Sequence, residues 1–368
     1  MTAESPQVSA APQPEPQPEP QPEPLGHTEL TGAHFYGGQA VLEGVMMRGA
    51  STWAVAARRP TGDIYLERHP VSDFPKRHPV FMRPMLRGVF ALFDAMAIGV
   101  KALGISASQA LTDEEGQHEE VGGAAIGVSM ALAAVFFVAV FIFLPNALLG
   151  FLSEALGSGL LYHVVEGVVR IAIFLGYLSL ISLLGDIRRV FQYHGAEHMT
   201  IAAWEHGEPL EPERIAPYST LHVRCGTNFL LIVMLLAVVI YSIAGFIVPA
   251  PEGGWFVHVG YHVALRIVLL PVVAGLAYEG IRLGASRGDR WWVRALMAPG
   301  LWLQRITTRP PEDGMIEVAI RAFEAVVPAA DLAGRTAPLP SRVIVGPEVA
   351  AAGVTAGGAG VGERTDGA

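Results

Sequence analysis

Two short stretches of this sequence combine side chains that bind metal ions. The first, F-Q-Y-H-G-A-E-H, covers residues 191–198 and places two histidines four positions apart, with a glutamate directly before the second. The second, L-H-V-R-C-G at residues 221–226, contains a third histidine and the single cysteine of the chain. Imidazole and thiolate ligands together suit zinc better than they suit most other biological metals. The two stretches therefore predict a metal centre, with zinc as the expected ion.

The first stretch also contains a group that could do catalysis. If residues 186–205 form a helix, His194 and His198 project from one face, one turn apart, so that both imidazoles can bind one ion. In the order H-x-x-E-H, the two histidines bind zinc and the glutamate polarises the metal-bound water of a zinc peptidase. The sequence thus predicts Glu197 as the catalytic base. The predicted metal ligands are His194, His198, His222 and Cys225.

Three interpretations of these residues remain open. Four ligands would close the coordination sphere and make the metal structural, whereas a catalytic site needs one position free for water. In the second case one of the four ligands, or Glu197, lies outside the coordination sphere. Without any metal, the histidines would only form hydrogen bonds at a membrane surface, and residues 224–226 would form the first turn of a helix capped by Thr227 or Asn228.

Composition indicates the environment in which this site lies. Hydrophobic residues make up 51% of the chain and charged residues only 16%, and the mean hydropathy is +0.40. These values are typical of membrane proteins. The formal charge of −9 gives no reason to expect nucleic-acid binding. A single cysteine excludes an internal disulfide, so Cys225 is available as a ligand in a reducing cytoplasm.

Four apolar segments are long enough to cross a bilayer, for which about 20 residues suffice. The loops at residues 145–158 and 249–257 contain no lysine or arginine, whereas residues 26–120 contain nine and residues 282–309 contain six. By the positive-inside rule, both termini and the histidine-containing loop are expected in the cytoplasm, and the protein in the inner (plasma) membrane. The four predicted spans are Val121–Leu144, Gly159–Leu184, Asn228–Val248 and His258–Ile281.

The regions outside these spans have patterns of their own. Residues 34–72 predict a small β element, since short apolar runs alternate with glycines and a P-T-G-D turn separates two strand-like runs. Residues 80–111 have helical periodicity with basic residues at both ends, which favours an interfacial helix over a span. Residues 12–24 repeat P-Q-P-E-P and predict an extended, solvated arm.

Ionisable side chains within the predicted spans form a second group. Charges are costly inside a membrane and normally pair or line a cavity. The sequence therefore predicts either a helical ion pair between Glu166 and Arg170 with interfacial histidines, or a path for protons or ions. The residues are His163, Glu166 and Arg170 on one face of the second span, and His258, His262 and Arg266 on one face of the fourth.

Several longer motifs resemble the signature stretches of the YqhQ-like family, a bacterial family of integral membrane proteins of unknown function. The resemblance extends over roughly residues 35–325 and implies a metal-dependent enzyme, with the metal and catalytic residues already named. It implies no substrate. The motifs are G-G-Q-A-V-L-E-G-V-M-M-R-G at 37–49, F-Q-Y-H-G-A-E-H at 191–198, H-V-R-C-G-T at 222–227, L-P-V-V-A-G-L-A-Y-E at 270–279 and P-G-L-W-L-Q-R-I-T-T-R-P-P at 299–311.

Together these observations predict a mainly α-helical membrane protein with about four transmembrane helices, both termini inside, interfacial helices and a small N-terminal β element on the cytoplasmic side. The predicted function is that of a zinc-dependent hydrolase in contact with the lipid bilayer. The alternative is a non-catalytic membrane module or a transporter with a structural metal. The predicted regions are a disordered arm (1–30), a β-hairpin and interfacial helix (31–120), spans one and two (121–184), the metal-binding loop (185–227), spans three and four (228–281), interfacial helices (282–330) and a flexible tail (331–368).

Overall fold

A computed structural model describes residues 36–111, 123–156, 160–223, 225–248, 251–286, 290–312 and 314–346. The predicted N-terminal arm and residues 347–368 of the predicted tail lie outside these ranges. The strands are β1 (Gly37–Val41), β2 (Gly44–Arg48), β3 (Thr52–Arg58), β4 (Ile64–Pro70) and β5 (Val343–Val345). The helices are α1 (Phe74–Arg77), α2 (Leu86–Ala110), α3 (Gly123–Phe137), α4 (Leu144–Leu156), α5 (Leu160–Ile181), α6 (Gly185–Glu205), α7 (Pro212–Ile215), α8 (Gly226–Ile247), α9 (Trp255–Ser286), α10 (Trp291–Thr307), α11 (Met315–Glu324) and α12 (Ala329–Leu332), with a 3₁₀ turn at Pro79–Met82 and a π-helical segment at Val138–Phe143 that joins α3 to α4.

The predicted N-terminal β element is a five-stranded sheet in the order β1-β2-β3-β4-β5. Neighbouring strands from β1 to β4 are antiparallel, and β5 joins β4 in parallel from the far end of the chain. The predicted hairpin turn lies between Arg58 and Ile64, where Gly62 takes a φ of +89° and Asp63 accepts hydrogen bonds from Arg59. The sheet therefore joins the N-terminal region to residues 343–345, within the segment expected to be a tail.

Successive side chains of a strand point to opposite faces of the sheet. Both sets are apolar here, and helices cover both faces. Val45 and Met47 of β2 lie in one apolar cluster with Tyr193 of α6 and Phe323 of α11. Met46, between them, lies in a second cluster, whose α2 members include Ile98 and Ala102. The sheet is thus enclosed by α6 and α11 on one face and by α2 on the other.

By length and composition, five helical segments of the described chain could cross a membrane. Four of them, Gly127–Phe151, Val164–Ile181, Gly226–Ile247 and Val263–Leu283, correspond to the spans expected from the sequence. The fifth is α2, which the sequence indicated as interfacial, so the structure contains one candidate more than predicted. The spans leave large apolar side chains exposed, among them Phe151 at 88% and Phe246 at 87%, as expected of surfaces that face lipid.

Polar contacts attach α2 to the sheet on one side and to α9 on the other. Arg48 of β2 forms a 2.6 Å ion pair with Asp94 near the middle of α2. Gly99 lies so close to Gln39 of β1 that a Cβ atom would come within 2.6 Å of the amide oxygen. At the beginning of α2, Arg87 forms an ion pair with Glu279 of α9. These contacts bring the sheet next to the C-terminal half of α9.

Candidate metal centre

The metal centre is built on α6, the helix predicted to present two histidines on one face. This helix begins after Leu184, which has an extended backbone, and its last turn is followed by Gly207 in the left-handed region, with a φ of +84°. The imidazole rings of His194 and His198 lie one turn apart, with centroids 4.4 Å from each other. The predicted helical geometry of the pair is therefore confirmed.

Cys225 reaches this pair from a different part of the chain. It is the N-cap residue of α8, where its sulfur accepts a hydrogen bond from the backbone N–H of Thr227 at 3.4 Å. The same Sγ atom lies 3.2 Å from Nε2 of His194. One potential ligand atom from each of His194, His198 and Cys225 lies within 4.8 Å of the other two. The structure thus brings together three of the four predicted ligands.

Backbone carbonyl groups orient both imidazoles. The Nδ1 atom of His194 lies 2.8 Å from the carbonyl oxygen of Thr307, and Nδ1 of His198 lies 2.5 Å from that of Thr220. Because a carbonyl oxygen only accepts, each Nδ1 carries the proton and each Nε2 retains a lone pair. This arrangement, in which the second ring nitrogen donates to a carbonyl, is typical of histidines that bind metals.

The Nε2 atom of His198 has no hydrogen-bond partner among the described residues, although it is buried. An unpartnered buried nitrogen is costly and calls for an explanation such as an ion at that position. Burial also lowers the pKa of His198, so that the imidazole is neutral at pH 7. The donor chemistry and the vacant lone pair of this residue therefore fit a metal ion.

The thiol of Cys225 is shifted towards its ionised form. Burial by itself would raise its pKa, but the interaction with His198 and the hydrogen bonds from Thr227 outweigh burial, so the pKa lies below its ordinary value. A thiolate is the form that binds metals. Two imidazoles and a thiolate are a donor set that zinc prefers.

Glu197 lies beside the three ligands and is almost fully buried, at 4% exposure. Burial raises its pKa to about 8, against smaller lowering effects from His194 and the backbone N–H of Gly38. The Oε2 atom has no hydrogen-bond partner among the described residues. Gly38 of β1 lies against the carboxyl group, and a Cβ atom there would come within 2.8 Å of Oε1. Glycine at position 38 therefore makes room for Glu197.

His222 is not part of the group formed by the other three ligands. Its Nε2 atom lies 3.4 Å from a carboxylate oxygen of Glu205, and its ring centroid is 5.6 Å from that of His198. Burial lowers the pKa of His222 to about 4, so this imidazole is neutral as well. The structure places His222 next to the candidate centre, directed towards the last turn of α6.

Sequence reasoning missed the residues that support the ligands. Gln304 of α10 is fully buried, and its amide group accepts from the backbone N–H of His222 and donates to the carbonyl oxygen of the same residue, both at 2.8 Å. The chain after α10 then lies across α6, where Arg309 donates to the carbonyl oxygen of Phe191 at 2.9 Å. Both residues belong to the motif at 299–311, so the motif itself was the available signal.

Comparison with known proteins identifies a family and a relative of this chain. The family described as "Protein of unknown function (DUF1385)" matches residues 83–329. The uncharacterised protein YqhQ of Bacillus subtilis is 33% identical over 302 residues, which cover 79% of this chain and 92% of that protein. The chain belongs to this family. The resemblance to YqhQ-like proteins is thereby confirmed, and no solved structure matches the chain.

The DUF1385 match includes α6, α8 and α10, and with them all the residues of the candidate centre except Gly38. The strands β1 to β4, which precede residue 83, lie outside that match. The family name supplies no activity. The function of this DUF1385 protein must therefore be argued from the geometry of the centre and from the membrane helices around it.

Proposed function

We propose that this protein is a zinc-dependent hydrolase at the cytoplasmic surface of the inner membrane. The observation that carries this proposal is the convergence of His194, His198 and Cys225 next to the buried carboxyl group of Glu197. Three protein ligands are typical of catalytic zinc sites, which leave one position for water, whereas structural sites have four. His222 is directed towards Glu205, and this position favours a site with three protein ligands.

Each residue would have a distinct part in catalysis. Through Nε2 the two histidines hold the ion, while the carbonyl oxygens of Thr307 and Thr220 fix their orientation. A bound zinc ion would supply Lewis-acid activation of a water molecule. Glu197 would take up the proton of that water at Oε2 and deliver it to the leaving group. Without a bound ion, burial raises the pKa of Glu197 to about 8, towards the range in which a group can both accept and donate a proton.

The membrane arrangement that we propose has four spans, with α2 in the interface. Because α6 packs on the sheet, the chain must return to the same side of the membrane between β4 and α6. Three candidate spans lie in that interval, and an even number must cross. Only α2 packs along the sheet, and its exposed face carries Phe93 and Met96, which suit lipid contact. The arginine-rich segments favour the cytoplasm as the side of the sheet.

Cysteine labelling on intact bacteria tests this topology. We expect T61C in the exposed hairpin turn and L111C after α2 to react with an impermeant maleimide only when the cells are permeabilised. E252C, in the loop before α9, should react in intact cells. Cys225 is buried, so the parent protein is the unlabelled control. Labelling of L111C in intact cells would show that α2 crosses the membrane and would contradict the four-span arrangement.

Zinc content and hydrolysis together test the catalytic proposal. The full chain, purified in detergent and loaded with zinc, would be incubated with fluorescent casein and a peptide mixture, and the cleavage products identified by mass spectrometry. Glu197→Gln should retain zinc and lose activity by roughly a hundredfold or more. Glu205→Gln, a matched change on the same helix, should retain both the zinc and the hydrolytic activity.

Two outcomes would contradict the catalytic proposal. If Glu197→Gln hydrolysed the substrates as fast as the wild type, Glu197 would not be the base. If the zinc-loaded wild type cleaved no substrate, the ion would be structural and the protein a non-catalytic membrane module.

A further inference from the structure

A cavity of about 190 Å³ lies among the membrane helices, and none of the candidate metal ligands lines it. Its walls come from the π-helical segment after α3 and from α5, α8 and α9. About half of the lining side chains are apolar, and Glu166, Arg170 and Arg266 also face it. By volume it has room for a group the size of roughly ten water molecules. The charged residues among those predicted to lie within the spans therefore converge on a single space.

The two arginines share one carboxylate oxygen. Nη2 of Arg266 donates to Oε1 of Glu166 at 2.8 Å, and Nη1 of Arg170 contacts the same atom. The predicted pair between Glu166 and Arg170 is thus confirmed and includes a third member from α9. The side chains of His163, His258 and His262 lie outside the described part of the structure. Among the described residues around the cavity, two guanidinium groups face one carboxylate, which leaves one excess positive charge.

Arg266 lines the cavity, and most of its hydrogen-bond donors have no acceptor among the described residues. A guanidinium group has five N–H donors, and the described residues accept from only one of those of Arg266. Its side chain retains 22% exposure at this depth. Tyr241 fixes the position of the residue, because its hydroxyl donates to the backbone oxygen of Arg266 and its ring lies 5.8 Å from the guanidinium carbon. Arg170 is held in turn by Asn146, whose Oδ1 accepts from Nη2 at 3.2 Å.

We propose that this cavity binds one anionic oxygen-bearing group, a phosphate or carboxylate with one net negative charge, through Arg266 and Arg170. An uncompensated positive charge among membrane helices is costly, and a bound monoanion would neutralise it. Planar guanidinium groups bind these oxoanions with two parallel hydrogen bonds. Arg170 lies ten residues after the first residue of α5, about 15 Å along the helix. Lipid headgroups and free anions both carry such a group, and the chemistry of recognition is the same.

Binding measurements on the full chain in a non-ionic detergent test this site. The probes are inorganic phosphate, acetate and a short-chain phosphatidylglycerol, with binding followed by native mass spectrometry and by the rise in melting temperature. Arg266→Gln should weaken binding by roughly tenfold to a hundredfold, as expected for the loss of a charge-assisted hydrogen bond. Arg188→Gln removes the same charge from an exposed site on α6 and should change nothing.

The decisive result is the direction in which Glu166→Gln changes the affinity for the anion. This substitution removes the competing carboxylate and retains both arginines, so the same anion should bind more tightly than to the wild type. Binding of phosphatidylglycerol alone would identify a lipid site, and binding of phosphate or acetate would identify a site for soluble anions; either supports the proposal. Failure of all three probes to bind, or weaker binding to Glu166→Gln, would overturn it. If Arg266→Gln fails to fold, Glu166→Gln alone decides.

Discussion

Substitution of Gly195 tests how closely the candidate centre depends on the segment after α10. Gly195 lies between the two histidines on α6, and a Cβ atom there would come within 2.1 Å of the backbone oxygen of Arg309. Carbon and oxygen atoms in contact prefer about 3.5 Å, so the Arg309 segment would have to move by more than about 1 Å. That movement would break the 2.9 Å hydrogen bond from Arg309 to Phe191.

The magnitude of the effect follows from three contributions. Alanine favours the helix over glycine by about 1 kcal/mol. Overpacking against a rigid backbone costs about 1–3 kcal/mol, and the lost hydrogen bond about 1 kcal/mol more. Gly195→Ala should therefore lower the free energy of unfolding by about 1–3 kcal/mol. Displacement of Thr307, whose carbonyl orients His194, should also weaken zinc binding by roughly 10–100-fold.

Gly185→Ala is the matched control on the same helix. No atom lies within 4 Å of the position of its Cβ, so this substitution should be neutral or slightly stabilising. Tryptophan fluorescence during heating would compare the two variants, and titration with a zinc chelator would compare their affinities. If Gly195→Ala has the same melting temperature and the same zinc affinity as Gly185→Ala, the proposed packing of residues 307–309 over α6 is wrong.

Three further predictions concern the neighbours of the centre. His222→Ala should retain about one zinc per chain, measured by mass spectrometry of the metal, because the other three ligands suffice. Gln304→Leu should lower the melting temperature, since it leaves the backbone N–H of buried His222 without a partner, at about 1–3 kcal/mol, and removes one of the two hydrogen bonds to its carbonyl oxygen. Hydrogen bonds from Arg189 lower the pKa of Glu43 below its ordinary value of 4.5. Ionised Glu43 therefore stabilises the fold above pH 4.5, and this contribution is lost as the pH falls through the lowered pKa. In an acid denaturation series, Glu43→Gln should therefore be less stable than the wild type at neutral pH and lose less stability below about pH 4.5.

The sequence predicts those features that depend on local pattern. Helical spacing places His194 and His198 on one face whatever the rest of the chain does. Long apolar runs identify four of the five candidate spans, because few other structures need about 20 such residues. The helices expected within residues 282–330 include α10 and α11, and α11 packs against both the sheet and α6.

Features that depend on tertiary contacts could not be predicted. The charges of α2, including Asp94, exclude a clean span by pattern, but their partners lie in the sheet and in α9 and are invisible to periodicity. The turn around H-x-x-C does not fix where its side chains point, so His222 looked equivalent to Cys225. The carbonyl groups of Thr307 and Thr220 carry no sequence signal, since every residue has one.

The central claim is that His194, His198 and Cys225 hold a zinc ion beside Glu197. The most direct measurement is the metal content of the purified full chain and of two variants, determined by mass spectrometry of the metal. We expect about one zinc per wild-type chain, the same in Glu197→Gln, and almost none in His198→Ala, because three ligands define the site. A wild type without bound metal, or a His198→Ala variant that retains its full zinc content, would contradict the account.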